Sequence, residues 1–275
     1  MTDPVAISTL PPDSTPHRQP LDITIGTFNH ASDDENSTRA SLGDLLARSP
    51  IPANEVLSNL GLYLNRPTVS RMLFMHELYQ RIIGVHGIII EFGVRWGRNL
   101  ALFEALRGIY EPYNHTRKIV GFDTFAGFPS IHQNDRATGD GLVAPGGYAV
   151  TEGYEAYLHD VLECHERESP ISHMRKFELV KGDACEEIEK YLADHPETLV
   201  ALAYFDMDLY EPTKRCLSAI KDRIAGGAII GFDELNHRDF PGETIAFKEV
   251  LGAGRFKLHR SPMNPTSSYI VFGGE

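Results

Sequence analysis

Apolar positions along this chain follow two periods, and the switch between them marks its organisation. From Thr68 to about Val85, Met72, Leu73, Met75, Leu78, Tyr79, Ile82 and Ile83 recur at three-and-four spacing. That spacing predicts an amphipathic helix, capped by Thr68 after Pro67 and ending near Gly84. Beyond it come short, continuous apolar runs bounded by turn residues. They predict strands at 87–92, 118–123, 177–181, 199–205 and 228–232, alternating with helices near 98–109, 186–192, 212–224 and 243–251. Strands apolar throughout are buried on both faces, so the expected fold is α/β, a Rossmann-like, doubly wound, mostly parallel sheet. Runs at 256–259 and 268–272, joined by a Pro-rich loop, predict an antiparallel C-terminal strand pair.

Two stretches carry neither period. Residues 1–38 hold Pro4, Pro11, Pro12, Pro16 and Pro20 and read as a mobile N-terminal arm, with Ile23-Thr24-Ile25 as one short strand or docking contact. A helical prefix at 39–86 then covers the sheet, makes oligomer contacts or roofs a pocket, and the α/β domain occupies 87–275. The second stretch, 125–152, contains Gly139, Gly141, Gly146 and Gly147 and reads as a lid loop, because long loops inside compact domains are usually functional.

Composition narrows the partners. A net charge of −12 argues against nonspecific binding to nucleic acid or to an anionic membrane. No apolar run approaches the roughly 20 residues of a membrane span, and the N-terminus lacks the basic-then-apolar layout of a secretory signal. Cys164, Cys185 and Cys216 are odd in number and widely spaced, which suits reduced thiols in a cytoplasmic protein.

The chemistry concentrates where strands end. In Ile88-Ile89-Ile90-Glu91-Phe92-Gly93-Val94-Arg95-Trp96-Gly97-Arg98-Asn99 a buried strand passes an acid and two glycines into a helix, the site of a nucleotide-like ligand in an open α/β sheet. Asp123, Asp206 and Asp233 stand at or beyond other strand ends, and Asp183 follows the third strand, unless these acids merely cap helices. Asp123 suits the two hydroxyls of a ribose, in a nicotinamide dinucleotide or in S-adenosylmethionine alike. Gly93 and Gly97 do not complete the dinucleotide fingerprint, and Glu91 in the turn attracts a sulfonium but repels a diphosphate. Asp206 and Asp208, with Asp233 and Glu234 opposite, form an all-oxygen set of the kind hard cations such as Mg2+ or Ca2+ prefer. The alternative is that these acids pair with Lys214, Arg215 or Arg238. His237 is a candidate base in a polar loop. Trp96 walls the pocket or packs beneath the turn, and Tyr148, Tyr154 and Tyr157 contact a substrate ring or anchor the lid.

Taken together these residues resemble the class I S-adenosylmethionine-dependent methyltransferases, and more narrowly the macrocin O-methyltransferase family, which methylates sugar hydroxyls in antibiotic biosynthesis. The resemblance spans residues 68–272 and rests on Glu91-Phe92-Gly93-Val94-Arg95-Trp96-Gly97, Gly121-Phe122-Asp123-Thr124-Phe125-Ala126-Gly127-Phe128-Pro129, Lys181-Gly182-Asp183-Ala184, Asp206-Met207-Asp208-Leu209-Tyr210-Glu211-Pro212-Thr213, and Gly226-Gly227 leading to Phe232-Asp233-Glu234-Leu235. It implies cofactor contacts from Glu91, Gly93, Gly97, Asn99, Asp123, Thr124, Asp183, Ala184 and Asp206. It implies Mg2+ or another divalent cation on Asp206, Asp233 and Glu234, and Asp208 as general base. The chain departs from the family pattern at Glu234, where a second aspartate is usual, at Asn99, where Ser is usual, and by about one residue in the spacing from Asp206. The reaction expected is metal-assisted methylation of a sugar hydroxyl on a nucleotide-linked deoxysugar or a glycosylated natural product, by a cytoplasmic homo-oligomer. The alternatives are a phenol or catechol acceptor, a nicotinamide-dependent oxidoreductase, and a non-catalytic protein that keeps the fold.

Overall fold

In the computed structural model, which describes residues 31–136 and 143–273, the buried runs form one seven-stranded sheet. The chain enters through α1 (Asp33–Ala47), α2 (Ala53–Val56), a 3-10 turn (Leu57–Leu62) and α3 (Arg66–Ile82). There follow β1 (Ile88–Phe92), α4 (Arg98–Tyr110), β2 (Ile119–Asp123), α5 (Tyr154–Glu168), β3 (Phe177–Lys181) and α6 (Ala184–Asp194). The chain closes with β4 (Val200–Phe205), α7 (Tyr210–Ile220), β5 (Ile224–Phe232), α8 (Gly242–Val250), β6 (His259–Arg260) and β7 (Ser268–Val271). The strand order is β3-β2-β1-β4-β5-β7-β6, and β7 alone runs antiparallel to both neighbours. This is the expected doubly wound sheet with its antiparallel end.

Side chains of α3, α4 and α5 cover one face, over Ile89, Ile119, Leu202 and Tyr204; those of α6, α7 and α8 cover the other, over Ile90, Val120 and Ile230. On that second face, Phe122, Phe92, Phe205 and Phe232 lie in register across four neighbouring strands, their rings stacked at 5.3, 4.9 and 5.3 Å. The row seals the core at one level. The next residues along these strands, Gly93, Asp123, Asp206 and Asp233, therefore leave the sheet together at one edge.

Local readings needed three corrections. The α3 cap is Asn65, whose Oδ1 accepts the Thr68 N–H at 2.9 Å, so Pro67 falls within the first turn. Helix α5 lies in a segment whose alternation predicted nothing; its stripe of Leu158 and Leu162 is too sparse to read against charged neighbours. Helix α1 begins at Asp33, inside the expected arm, with Ser32 and Glu35 forming a capping box. The rest of the arm, Ile23-Thr24-Ile25 included, lies outside the described residues. Of the prefix, α3 buries Phe74, Met75, Leu78, Tyr79 and Ile82, whereas α1, α2 and the 3-10 turn bury nothing. Among the described residues no helix is long and apolar enough to cross a membrane.

Behind the site, Glu166 of α5 holds Arg107 of α4 at 3.2 Å and the buried Lys176 amine, and accepts the Lys176 N–H at 2.8 Å. Glu104, on the turn before Arg107, is fully buried with neither carboxylate oxygen bonded. Burial pushes its pKa up from 4.5 to about 8. The native state thus holds a proton that the unfolded chain releases, and stability falls as pH rises through that window. Glu104→Gln, which cannot ionise, is expected to stabilise the fold at pH 7.5 relative to wild type by about 1–3 kcal/mol, the scale of the proton linkage it removes. Its melting temperature should fall less than the wild type's between pH 5 and pH 8 on thermal scans; parallel profiles would remove Glu104 as the cause.

Candidate active site

The loops that leave the Phe row build the site through a few forced backbone positions. Gly93 (φ +89°) has no room for a side chain, since a Cβ there would lie 1.9 Å from the Asp206 carbonyl oxygen. The β1–α4 and β4–α7 loops therefore touch, and the crevice floor is bare backbone. Asp123 is fixed by two N–H donors, from Arg95 at 2.7 Å and Phe125 at 2.6 Å, both residues at positive φ. Six non-glycine residues among those described have positive φ. Five of them, Arg95, Phe125, Tyr148, Asp208 and Asn236, sit in loops around this crevice. Such strained conformations cluster where structure serves a ligand.

The crevice has a volume of about 460 Å³, within the range of small-molecule sites. It runs from Asp183 and Ala184 past Asp123 and Thr124 to Gly93 and Asn99, and ends at Asp206, Asp208, Asp233 and Glu234. The expected cofactor residues are thus brought together, with two exceptions. Glu91 lies beneath the crevice, bound through Oε1 to the Asn99 amide at 2.5 Å. Gly97, in the left-handed conformation ahead of α4, packs against Leu158. The capping alternative holds for Asp183, whose carboxylate accepts the Cys185 N–H at 2.9 Å at the start of α6. It does not hold for the others, because α4, α5, α7 and α8 are preceded by Gly97, Gly153, Leu209 and Pro241.

Trp96 lines the crevice, and its ring meets that of Tyr154 edge-on at 4.7 Å. Tyr148 receives the Arg95 guanidinium over its ring at 4.9 Å, so the 125–152 loop leans on the β1–α4 loop. The buried Nε of Arg95 has no hydrogen bond among the described residues. The described ends of the 125–152 loop bond to each other through Phe128 and Gly146–Gly147, and Asp135 accepts the Tyr210 N–H at 2.8 Å at the head of α7. Gly139 and Gly141 lie outside the described residues. His237 does not line the crevice; its ring packs on Phe240 at 5.2 Å and its Nδ1 accepts the Asp239 N–H at 3.3 Å.

The acid cluster has a counter-ion that sequence reasoning missed. Arg71 of α3 donates from Nη2 to Asp206 at 2.6 Å and from Nη1 to Asp233 at 2.5 Å, with its guanidinium 5.3 Å over the Tyr204 ring. Lys214 and Arg215, the partners expected from proximity in sequence, pair instead with Glu249 and Glu189. A signal existed: Arg71 stands four and seven residues before the buried Met75 and Leu78, hence on the apolar face of its own helix. Glu243, buried in the first turn of α8, was also missed; it accepts the Glu234 N–H at 3.2 Å.

One guanidinium does not neutralise the cluster. Burial would raise Asp233, but Arg71 and the Tyr204 and Ser267 hydroxyls hold it below its usual value. Burial and the Asp233 charge push Asp206 up to about 6. Burial, with Asp206 and Asp233, sends Asp208 well above its ordinary range, and burial with Asp208 takes Glu234 to about 11. Glu234 Oε2, Glu243 Oε1 and Glu91 Oε2 are buried without a hydrogen bond. The oxygen chemistry suits a hard cation, yet two of the three expected ligands already hold Arg71. Among the described residues no three His, Cys, Asp or Glu side chains are arranged to hold a metal ion. The expected metal set therefore does not fit as this chain arranges it.

No family model and no curated protein matches the chain. Solved structures do. The calicheamicin methyltransferase CalS11 is 46% identical with a TM-score of 0.87, covering 90% of this chain and 96% of that one. The apo form of CalS11, a TDP-rhamnose 3'-O-methyltransferase of calicheamicin biosynthesis, is 43% identical with a TM-score of 0.79, over 90% of this chain and 98% of that one. The O-methyltransferase NovP shares the fold at 17% identity and a TM-score of 0.54, over 75% and 81% of the two chains. With identity at this level over almost the whole length, and the crevice built as described, the chain belongs to the class I S-adenosylmethionine-dependent methyltransferases, in their sugar O-methyltransferase family.

Proposed function

We propose that this methyltransferase acts on a hydroxyl of a sugar, most simply a nucleotide-linked deoxysugar, in the biosynthesis of a glycosylated natural product. The observation that carries the reading is the continuity of the crevice: ribose and adenine positions at Asp123 and Asp183–Ala184 lead without a break to the uncompensated carboxylate of Asp208. The sugar comes from the likeness to CalS11, which acts on TDP-rhamnose. Membership of the family removes the nicotinamide-dependent alternative.

Bound S-adenosylmethionine supplies an electrophilic methyl group on a sulfonium. The chain's residues bind and orient it. Asp123 has lone pairs left after its two N–H bonds for the ribose hydroxyls, and the cradle at Gly93 admits the methionine end. Glu91, pushed up to about 8 by burial, places a carboxyl under that end, where a cation favours its ionised form. Asp208 accepts the acceptor's proton as the new C–O bond forms. Its raised pKa makes it a stronger base, and the positive charge of a sulfonium held in the same crevice would favour the carboxylate. The wall of Trp96 and Tyr148, with Tyr154 packed behind Trp96, excludes water from the reacting oxygen. Asp206, Asp233 and Glu234 would hold a divalent cation in the metal-assisted version, but Arg71 already engages the two aspartates and no step depends on a metal here.

The α/β domain at 87–275, completed at the acid cluster by Arg71 of α3, is the catalytic unit in this reading. Leu57 and Leu62 of the prefix are 81% and 66% exposed, which supports a homo-oligomer in which a second chain covers them. The free thiols of Cys164, Cys185 and Cys216 suit a reducing cytoplasm.

Two measurements test the assignment. Asp123→Ala should weaken S-adenosylhomocysteine binding by about 1.5–3 kcal/mol on isothermal titration, the range of a charge-assisted hydrogen bond; unchanged affinity would take Asp123 out of the ribose role. Asp208→Asn should lower kcat by about 10²–10⁴-fold while leaving that affinity intact, read by mass spectrometry as the gain of one methyl on thymidine-diphosphate deoxysugars. If only catechols or phenols gain the methyl, the sugar assignment fails and the enzyme class stands.

A further inference from the structure

The cation that the acid cluster needs is already part of the chain. Arg71 reaches across from α3 with its side chain 12% exposed and binds one carboxylate at the end of β4 and one at the end of β5. A divalent ion bridging the two strands would draw on the same two carboxylates and lie beside a guanidinium of like charge. The Asp233 Oδ1 that receives Arg71 also accepts the Tyr204 hydroxyl at 2.6 Å and the Ser267 hydroxyl at 2.8 Å, so its coordination is full. The guanidinium lies against the Tyr204 ring on its other side, and its Nε approaches Asn99 Oδ1 at 3.5 Å. Asn99 in turn holds Glu91. One side chain thereby links the methionine end of the cofactor crevice to both acids at its reactive end.

Displacing Arg71 would be costly. A guanidinium stays charged at any working pH, and stripping its carboxylates would leave a buried charge unpaired. A metal would have to supply more than its own binding to these oxygens.

We propose that Arg71 is the resident cation of this site, a positioning residue that occupies the bridge between Asp206 and Asp233 in place of a divalent ion. Its work is done through those carboxylates and through Asn99: they stay ionised and fixed, and the crevice keeps its shape without metal. Removal of the guanidinium leaves two carboxylates facing each other and turns the bridge into a divalent-cation site. The inference deepens the reading of this cluster as the reactive end of the crevice and rests on it; cation binding is measured without methyl transfer, so either can fail alone.

The test is a Mn2+ titration of the full chain followed by electron paramagnetic resonance, for wild type, Arg71→Met and Arg71→Lys. Wild type should show no micromolar site. Arg71→Met should bind one Mn2+ per chain at least about tenfold more tightly than wild type, roughly 1.4 kcal/mol. Arg71→Lys, which keeps a cation, should stay near wild type, an outcome that a merely structural role does not produce. Micromolar binding of Mn2+ by wild type overturns the proposal and stands whether or not Arg71→Met folds. A smaller gain in Arg71→Met, or an Arg71→Lys that binds as tightly as Arg71→Met, overturns it equally.

Discussion

Six carboxylates, Glu91, Asp206, Asp208, Asp233, Glu234 and Glu243, meet at one edge of the sheet, and Arg71 pairs with two of them, Asp206 and Asp233. Everything at the site follows from how that charge is distributed. Where the guanidinium touches, at Asp233, the carboxylate is held ionised; one step away, at Asp208 and Glu234, burial and like charge favour the proton. Carboxylates of equal chemistry thus receive different roles from the balance of burial, neighbouring charge and hydrogen bonds at each; Asp206, which also touches Arg71, is still raised to about 6. The ionised pair shapes the crevice, and the uncompensated member is left strongly basic beside the place where a hydroxyl must lose its proton.

This arrangement depends on a dry floor. The stacked row of Phe122, Phe92, Phe205 and Phe232 ends the core at a common level, so the acids emerge together instead of being staggered along the sheet. Low polarity beneath them strengthens each interaction above. The loops then turn within two or three residues, which forces Arg95, Phe125 and Asp208 into the left-handed region and Gly93 against the Asp206 carbonyl. The backbone strain and the charge crowding occupy the same loops, as expected where local preference yields to a ligand.

Helix α3 ties the N-terminal prefix to this chemistry. Its apolar stripe buries Phe74, Met75, Leu78, Tyr79 and Ile82 on the sheet, and that packing sets the depth from which Arg71 reaches the acids. A helix outside the strand–helix repeat thereby supplies the charge the repeat lacks. The upstream helices α1 and α2 make no comparable commitment to the core.

The alternation of buried runs determined the sheet, its parallel sense and the edge at which ligands sit, because burial on both faces leaves a strand no polar positions to vary. It also brought out Asp123, Asp206, Asp208 and Asp233, since an acid directly after an apolar strand can lie nowhere but that edge. Tertiary structure alone decided what those acids touch. Arg71 precedes Asp206 by 135 residues and Asp233 by 162, and no local period encodes such a pairing. His237, beside the acids in sequence, turned aside onto Phe240, while Glu243 came in from the next helix. Neighbourhood along the chain fixes strand ends; charge balance in a crevice is a sum over everything that packs there, and only the folded chain performs it.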